Sequence, residues 1–166
     1  MGEVRAGDII DDVSGLSPSS ELAILRRKRA DIVALTQASY EAVIFPKDPG
    51  VLPHDLRAAL ACRIARMNGA SELQDHYAAL AARGDAQVTA IAGGQEVTGA
   101  SALVKAIVGH CDKVTLTPRA CGRADIEFLH ASGLDDAGII ALSELISFLS
   151  YQIRVVAGLK LLGAEQ

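Results

Sequence analysis

Aromatic side chains are scarce in this 166-residue chain, which has no Trp, three Tyr and three Phe, together 4% of the sequence. Rings therefore cannot fill its core. The 28 alanines point instead to helices that lie close together. Cysteine is equally sparse. Cys62, Cys111 and Cys121 are too few and too scattered for a disulfide framework, and no CxxC pair or Cys/His spacing suits zinc. Basic charge is not in excess: Lys+Arg number 16 against 20 Asp+Glu, a net charge of -4. That balance excludes a dedicated nucleic-acid binder, which needs a basic surface. Only 22% of residues are charged and 50% are hydrophobic, which excludes a disordered chain. The N-terminus has no charged-then-apolar leader, so the expectation is a cytoplasmic protein. The longest apolar stretch, Ile139 to Leu162, is interrupted by Glu144, Gln152, Arg154 and Lys160, which predicts a buried helix rather than a membrane span.

What is present is helical periodicity. Residues 1–19 read as an irregular arm and residues 20–166 as a single all-α domain. Ser20 caps a predicted helix to about Ile44, with Leu22, Leu25, Ile32, Leu35 and Val43 as its apolar members. Its run Arg26-Arg27-Lys28-Arg29 is either a solvated face or a site for an anionic partner. After a Pro/Gly loop, Pro53 opens a helix from His54 to about Asn68 with Leu56, Leu60, Ile64 and Met67 on one stripe. Arg63 falls within that stripe, either snorkelling out at its edge or facing a pocket. Ser71 restarts a helix to Arg83. The stretch Gln87–Thr98 reads as a short helix or a loop, and Ser101–Val114 as an amphipathic helix bearing Leu103, Val104, Ile107, Val108 and Cys111. A helix to about Ser132 follows Thr117-Pro118. Asp135 then caps a last helix that is apolar nearly all round, expected to be central and buried by the bundle or by another subunit.

The order of segments carries a resemblance. Leu103-Val104-Lys105-Ala106-Ile107, Thr115-Leu116-Thr117-Pro118, the run Asp125 to Asp136 and the tail Ser150 to Leu159 resemble the carboxymuconolactone decarboxylase family, within it the alkylhydroperoxidase D-like, peroxidase-related branch. Upstream, Leu56 to His76 with Met67-Asn68-Gly69 looks like that family's active-site helix and the turn after it. The resemblance implies an antiparallel helix bundle that is a homo-oligomer (dimer, trimer or hexamer), takes a small-molecule substrate or ligand and serves antioxidant defence. It also implies dithiol chemistry. A CxxC after the Asn-Gly turn, a following His and a preceding Glu reduce hydroperoxides, because the attacking sulfur must be a thiolate and the second Cys resolves the sulfenic acid. No cofactor or metal is implied.

The chain departs from that pattern where the chemistry should sit. After Asn68-Gly69 it reads Ala70-Ser71-Glu72-Leu73-Gln74-Asp75-His76-Tyr77, without cysteine, and Arg57 and Ala58 stand where the Glu is expected. Two-cysteine reduction at this turn is excluded. The remaining catalytic candidates are His76, Glu72, Cys62 and Cys121, with Arg63 and Tyr77 as substrate-binding candidates. Glu72 and His76 are i, i+4 and can touch on a helix, as a carboxylate-oriented base or as a surface pair. Cys62 beside Arg63 and Arg66, and Cys121 between Arg119 and Arg123, have cationic neighbours that favour a thiolate, or are structural thiols. Cys111 reads as an inert core thiol. Arg154, in an apolar helix, needs a carboxylate or carbonyl partner if it is buried, and its removal is expected to lower thermal stability or disturb assembly.

Overall fold

The computed structural model describes residues 8–163. Within them the chain is all-helical, running α1 (Ile9–Ser14), α2 (Glu21–Arg27), α3 (Ala30–Ile44), α4 (His54–Met67), α5 (Ser71–Ala81), α6 (Ala86–Ala92), α7 (Ala102–Leu116), α8 (Arg123–Ala131) and α9 (Asp136–Gly163), with a single 3-10 turn at Pro118–Ala120. Starts follow local chemistry. The side chains of Ser20, Asp85 and Ser101 accept from the backbone N–H groups of Ala23, Val88 and Val104, and Asp135 accepts from Gly138. The ambiguous stretch after Gln87 is thus a short helix, held at its N-terminus by Asp85.

Two segments differ from the sequence expectation. Residues 9–14, placed in an irregular arm, form α1, because the Asp8 carboxylate accepts from the N–H groups of Ile10 and Asp11. The helix expected from Ser20 to Ile44 is two helices, α2 and α3, with the break at Lys28–Arg29. Arg26, part of the basic run, is not solvated. It forks onto both Asp8 oxygens at 3.0 and 2.9 Å and also reaches Asp11, tying α1 to α2 across a largely dry contact.

Helix α4 lies in the middle of the bundle, packed against α3, α5, α6, α7 and α9. Leu56, Leu60 and Ile64 are buried, and so are Ala58, Ala59, Ala61, Cys62 and Ala65 around the rest of its circumference. The methyl side chains let its neighbours come close on several sides at once. α9, expected to be the enclosed one, instead buries a stripe from Gly138 through Leu142, Leu145, Leu149 and Gln152 to Leu159, and leaves Ile140, Leu161 and Leu162 outside. By length and composition α9 would also be apolar enough to cross a bilayer; here its stripe packs on α1, α3, α4, α7 and α8. A Cβ on Gly138 would lie 2.5 Å from Leu134 Cδ1 and 2.8 Å from Val51 Cγ2, so its absence gives both side chains room against the start of α9. Arg154 is exposed, and among the described residues its guanidinium donates to the Ser150 carbonyl one turn back at 2.9 Å, so no buried ion pair is called for.

Arg57 is the buried cation instead. At 4% exposure, its guanidinium donates from Nε to the Leu52 carbonyl at 2.7 Å, from Nη1 to Val43 at 2.9 Å and from Nη2 to Pro49 at 3.2 Å. Burial lowers its pKa, partly offset by Glu144. It folds the α3–α4 loop onto α4 by satisfying three carbonyls. Arg57→Leu is expected to cost about 2–4 kcal/mol in urea unfolding, because those acceptors lose their donors in a dry site; an unchanged midpoint would show that the loop does not need them.

Candidate functional site

The scarce rings are gathered rather than scattered. α3 contributes Tyr40, α5 contributes His76 and Tyr77, and α9 contributes Phe148 and Tyr151. Tyr40 is the hub, with ring centroids 5.8 Å from Phe45, 5.8 Å from His76, 6.5 Å from Tyr77 and 6.4 Å from Phe148. The His76 and Tyr77 rings meet edge-on at 4.9 Å. All three tyrosines and two of the three phenylalanines therefore join one cluster that clamps α3, α5 and α9 together.

Each tyrosine hydroxyl in the cluster is tied. Tyr40 Oη and His76 Nε2 are 2.9 Å apart, Tyr151 Oη and Thr36 Oγ1 are 2.8 Å apart, and Tyr77 donates to Gln152 Oε1 at 2.5 Å. Burial lowers the His76 pKa, with the Asp12 charge opposing, so the imidazole is neutral near pH 7. Burial raises the Tyr77 pKa well above its ordinary 10.0. Tyr77, expected as a substrate-binding residue, is fully buried with its hydroxyl spent on Gln152. Gln152 is wholly buried, and its Nε2 has no hydrogen-bond partner among the described residues.

The expected Glu72–His76 pairing is not formed. The Glu72 carboxylate is ion-paired with Lys160 of α9, which with the Ser71 hydroxyl holds its pKa down at about 2. Cys62 is not an activated thiol either. It is sealed beneath α5 and α6, with Sγ 3.5 Å from both the Gln74 and the Ala92 carbonyl oxygens, and burial raises its pKa despite Arg66. Arg63 neither snorkels nor faces a cleft. Its Nε and Nη2 clasp Asp112 of α7 at 2.6 and 2.7 Å, and Nη1 donates to the Gln95 carbonyl at 3.0 Å. Cys121 is part-exposed on the α7–α8 connection, away from Glu72 and His76, with Sγ 3.9 Å from the Thr117 carbonyl oxygen. Cys111 is the inert thiol expected, its pKa pushed up by burial to about 12.

One cleft lies where the resemblance places reactive sulfur. Asn68, Gly69, Ala70 and Glu72, at the turn into α5, face Ile153, Val156, Ala157, Lys160 and Leu161 of α9 across about 370 Å³. The turn depends on Gly69, whose φ is +66°. The walls are mainly aliphatic, the Glu72–Lys160 pair stands at the rim, and no thiol lines the cleft. His76 is one helical turn deeper along α5. Sequence reasoning missed Tyr40, Gln152 and Lys160. Gln152 was visible as a polar interruption of an apolar helix, whereas no local pattern links Lys160 to a glutamate 88 residues away.

No family model matches the chain, and no curated protein does. The solved structures do contain a match. The fold is similar to that of an uncharacterized peroxidase-related protein from Silicibacter sp. TM1040, with a TM-score of 0.68 over 78% of this chain and 69% of that one. At 18% identity the likeness is one of fold. The all-helical fold expected from the sequence is therefore present, and it resembles the fold of this neighbour.

Two outcomes follow from the cluster. Because the native His76 resists protonation, the unfolded chain takes up its proton first as pH falls from about the ordinary 6.5. Stability should decline over that interval, and His76→Gln should flatten the decline in denaturation midpoints taken across the pH range. Tyr77→Phe should cost about 1–3 kcal/mol by leaving Gln152 without its buried partner. The double variant Tyr77→Phe/Gln152→Leu should recover most of that loss in the same unfolding measurement.

Proposed function

We propose that the chain is a divergent member of the carboxymuconolactone decarboxylase family, of the alkylhydroperoxidase D-like branch, that binds a small apolar molecule where its relatives carry out thiol chemistry. The observation that carries this reading is the cleft beside Asn68-Gly69, open, aliphatic and without sulfur, while Cys62, the nearest thiol in sequence, is closed off beneath α5 and α6. Its chemistry favours a ligand with a hydrocarbon body and one neutral hydrogen-bonding end. Glu72 and Lys160 form a pair that is neutral overall and can both accept and donate, whereas a charged ligand of either sign would have to break it. An organic hydroperoxide meets that description as a ligand, with no thiolate within the cleft to reduce it. A role in antioxidant defence would then be one of binding and not of turnover. The same reading expects a homo-oligomer, since Leu25, Leu35, Leu161 and Leu162 face outward.

Octanol should raise the melting temperature of the protein, and Ala157→Trp, which fills the cleft from α9, should abolish that rise. Organic hydroperoxide with a dithiol should show no reduction above the uncatalysed rate. Turnover that disappears on Cys62→Ser or Cys121→Ser would overturn the reading.

A further inference from the structure

A second cleft, of about 210 Å³, opens between α7 and α8 and is independent of the one beside Asn68-Gly69. Its floor is the α7 face bearing Lys105, Gly109 and Lys113 at i, i+4 and i+8, with His110 alongside, and its wall is the exposed ring of Phe128. Three features mark it as built for a ligand.

The first is Gly109. It sits in the interior of α7, where glycine weakens a helix relative to alanine. Neither packing nor backbone geometry calls for it: a Cβ there would meet nothing within 4 Å, and its φ is not positive. Its missing side chain leaves the floor of the cleft bare. The second is a set of unused donors. Lys105 makes no ion pair and His110 makes no side-chain hydrogen bond among the described residues, although the imidazole is half-buried. The third is the posture of Lys113. It is drawn across to α8 by Asp125 at 2.5 Å, and that carboxylate is itself anchored on the Gly122 N–H at 2.8 Å. Asp125 is thereby occupied by Lys113 on one side of the cleft, leaving Lys105 as the positive charge and His110, kept neutral by burial, as a hydrogen-bonding group on the other.

We propose that this cleft binds a small aromatic carboxylate, its ring lying between Gly109 and Phe128 and its acid group bridging Lys105 and His110. The carboxylate accepts charge-assisted hydrogen bonds from Lys105 Nζ, and the ring gains an offset or edge contact with the phenyl group of Phe128. The volume lies below that of clefts for drug-sized molecules, so the ligand is a single ring with its acid group. A backbone floor in place of a side chain is what lets a flat body lie against α7.

Benzoate and acetate, titrated separately into the isotope-labelled protein and followed by NMR, test this directly. Benzoate should shift the Gly109 amide and the Phe128 ring signals, and acetate at the same concentration should not. Lys105→Met should weaken benzoate binding by about tenfold. Gly109→Leu, which adds a helix-favouring side chain in open space, should keep or raise the melting temperature while removing the benzoate shifts, so loss of binding is separable from loss of fold. Equal shifts with benzoate and acetate would reduce the site to screening of a basic patch, and retained benzoate binding in Gly109→Leu would place the ligand elsewhere. Either result overturns the proposal.

Discussion

The structure depends on how completely α4 is enclosed. A helix contacted by five others has no solvent face to spare, and α4 meets this condition with alanine at 58, 59, 61 and 65, where larger side chains would hold its neighbours away. Ala59, Ala61 and Ala65 are fully buried, so a branched side chain at any of them would have to displace a packed helix. This enclosure fixes what the polar residues of α4 can do. Arg57 cannot reach water and gathers the α3–α4 loop carbonyls; Arg63 clasps Asp112; Cys62 is pinned against the backbone of α5 and α6. Three side chains that look chemically available in sequence are thus committed to holding helices and loops.

The same constraint accounts for the separation of roles around α5. Its inward side carries Leu73 and Tyr77 into the core, and the residue just before each offers Glu72 to Lys160 and His76 to Tyr40. Glutamate and histidine one turn apart do not form a dyad, because each has a better partner on another helix. A long lysine from α9 gives Glu72 an ion pair, and the tyrosine hub gives the neutral imidazole a hydrogen bond at 2.9 Å without requiring a charge. The outcome is a dry aromatic cluster beside an aliphatic cleft. The fold resembles that of a peroxidase-related protein, and no cysteine stands at the turn into α5.

Much of this was legible in the sequence, and the rest was hidden for identifiable reasons. Caps and breakers placed most helices: Ser20, Ser101 and Asp135 start them, and Gly69 and Gly133 adopt positive φ after their ends. The break between α2 and α3 carries no proline or glycine, so no local residue type marks it. α1 was missed because its cap acts within a short helix that only tertiary packing sustains. Hydrophobicity along α9 suggested complete burial, but apolar composition does not say how many neighbours exist to cover it, and alanine-rich α4 proved the more enclosed helix. At the site, the absence of cysteine after Asn68-Gly69 was plain from the residues alone. The partners Tyr40, Lys160 and Asp112 were not, because each contact joins segments far apart in the chain.

The claim on which the functional account rests is that no thiol of this fold is both activated and accessible at the cleft. Site-resolved mass spectrometry after brief exposure of the native protein to an organic hydroperoxide measures this most directly. The account predicts that Cys62 and Cys111, both buried with raised pKa, stay reduced, and that any oxidation falls on part-exposed Cys121. A sulfenic acid or a disulfide on Cys62 in the folded protein would contradict it.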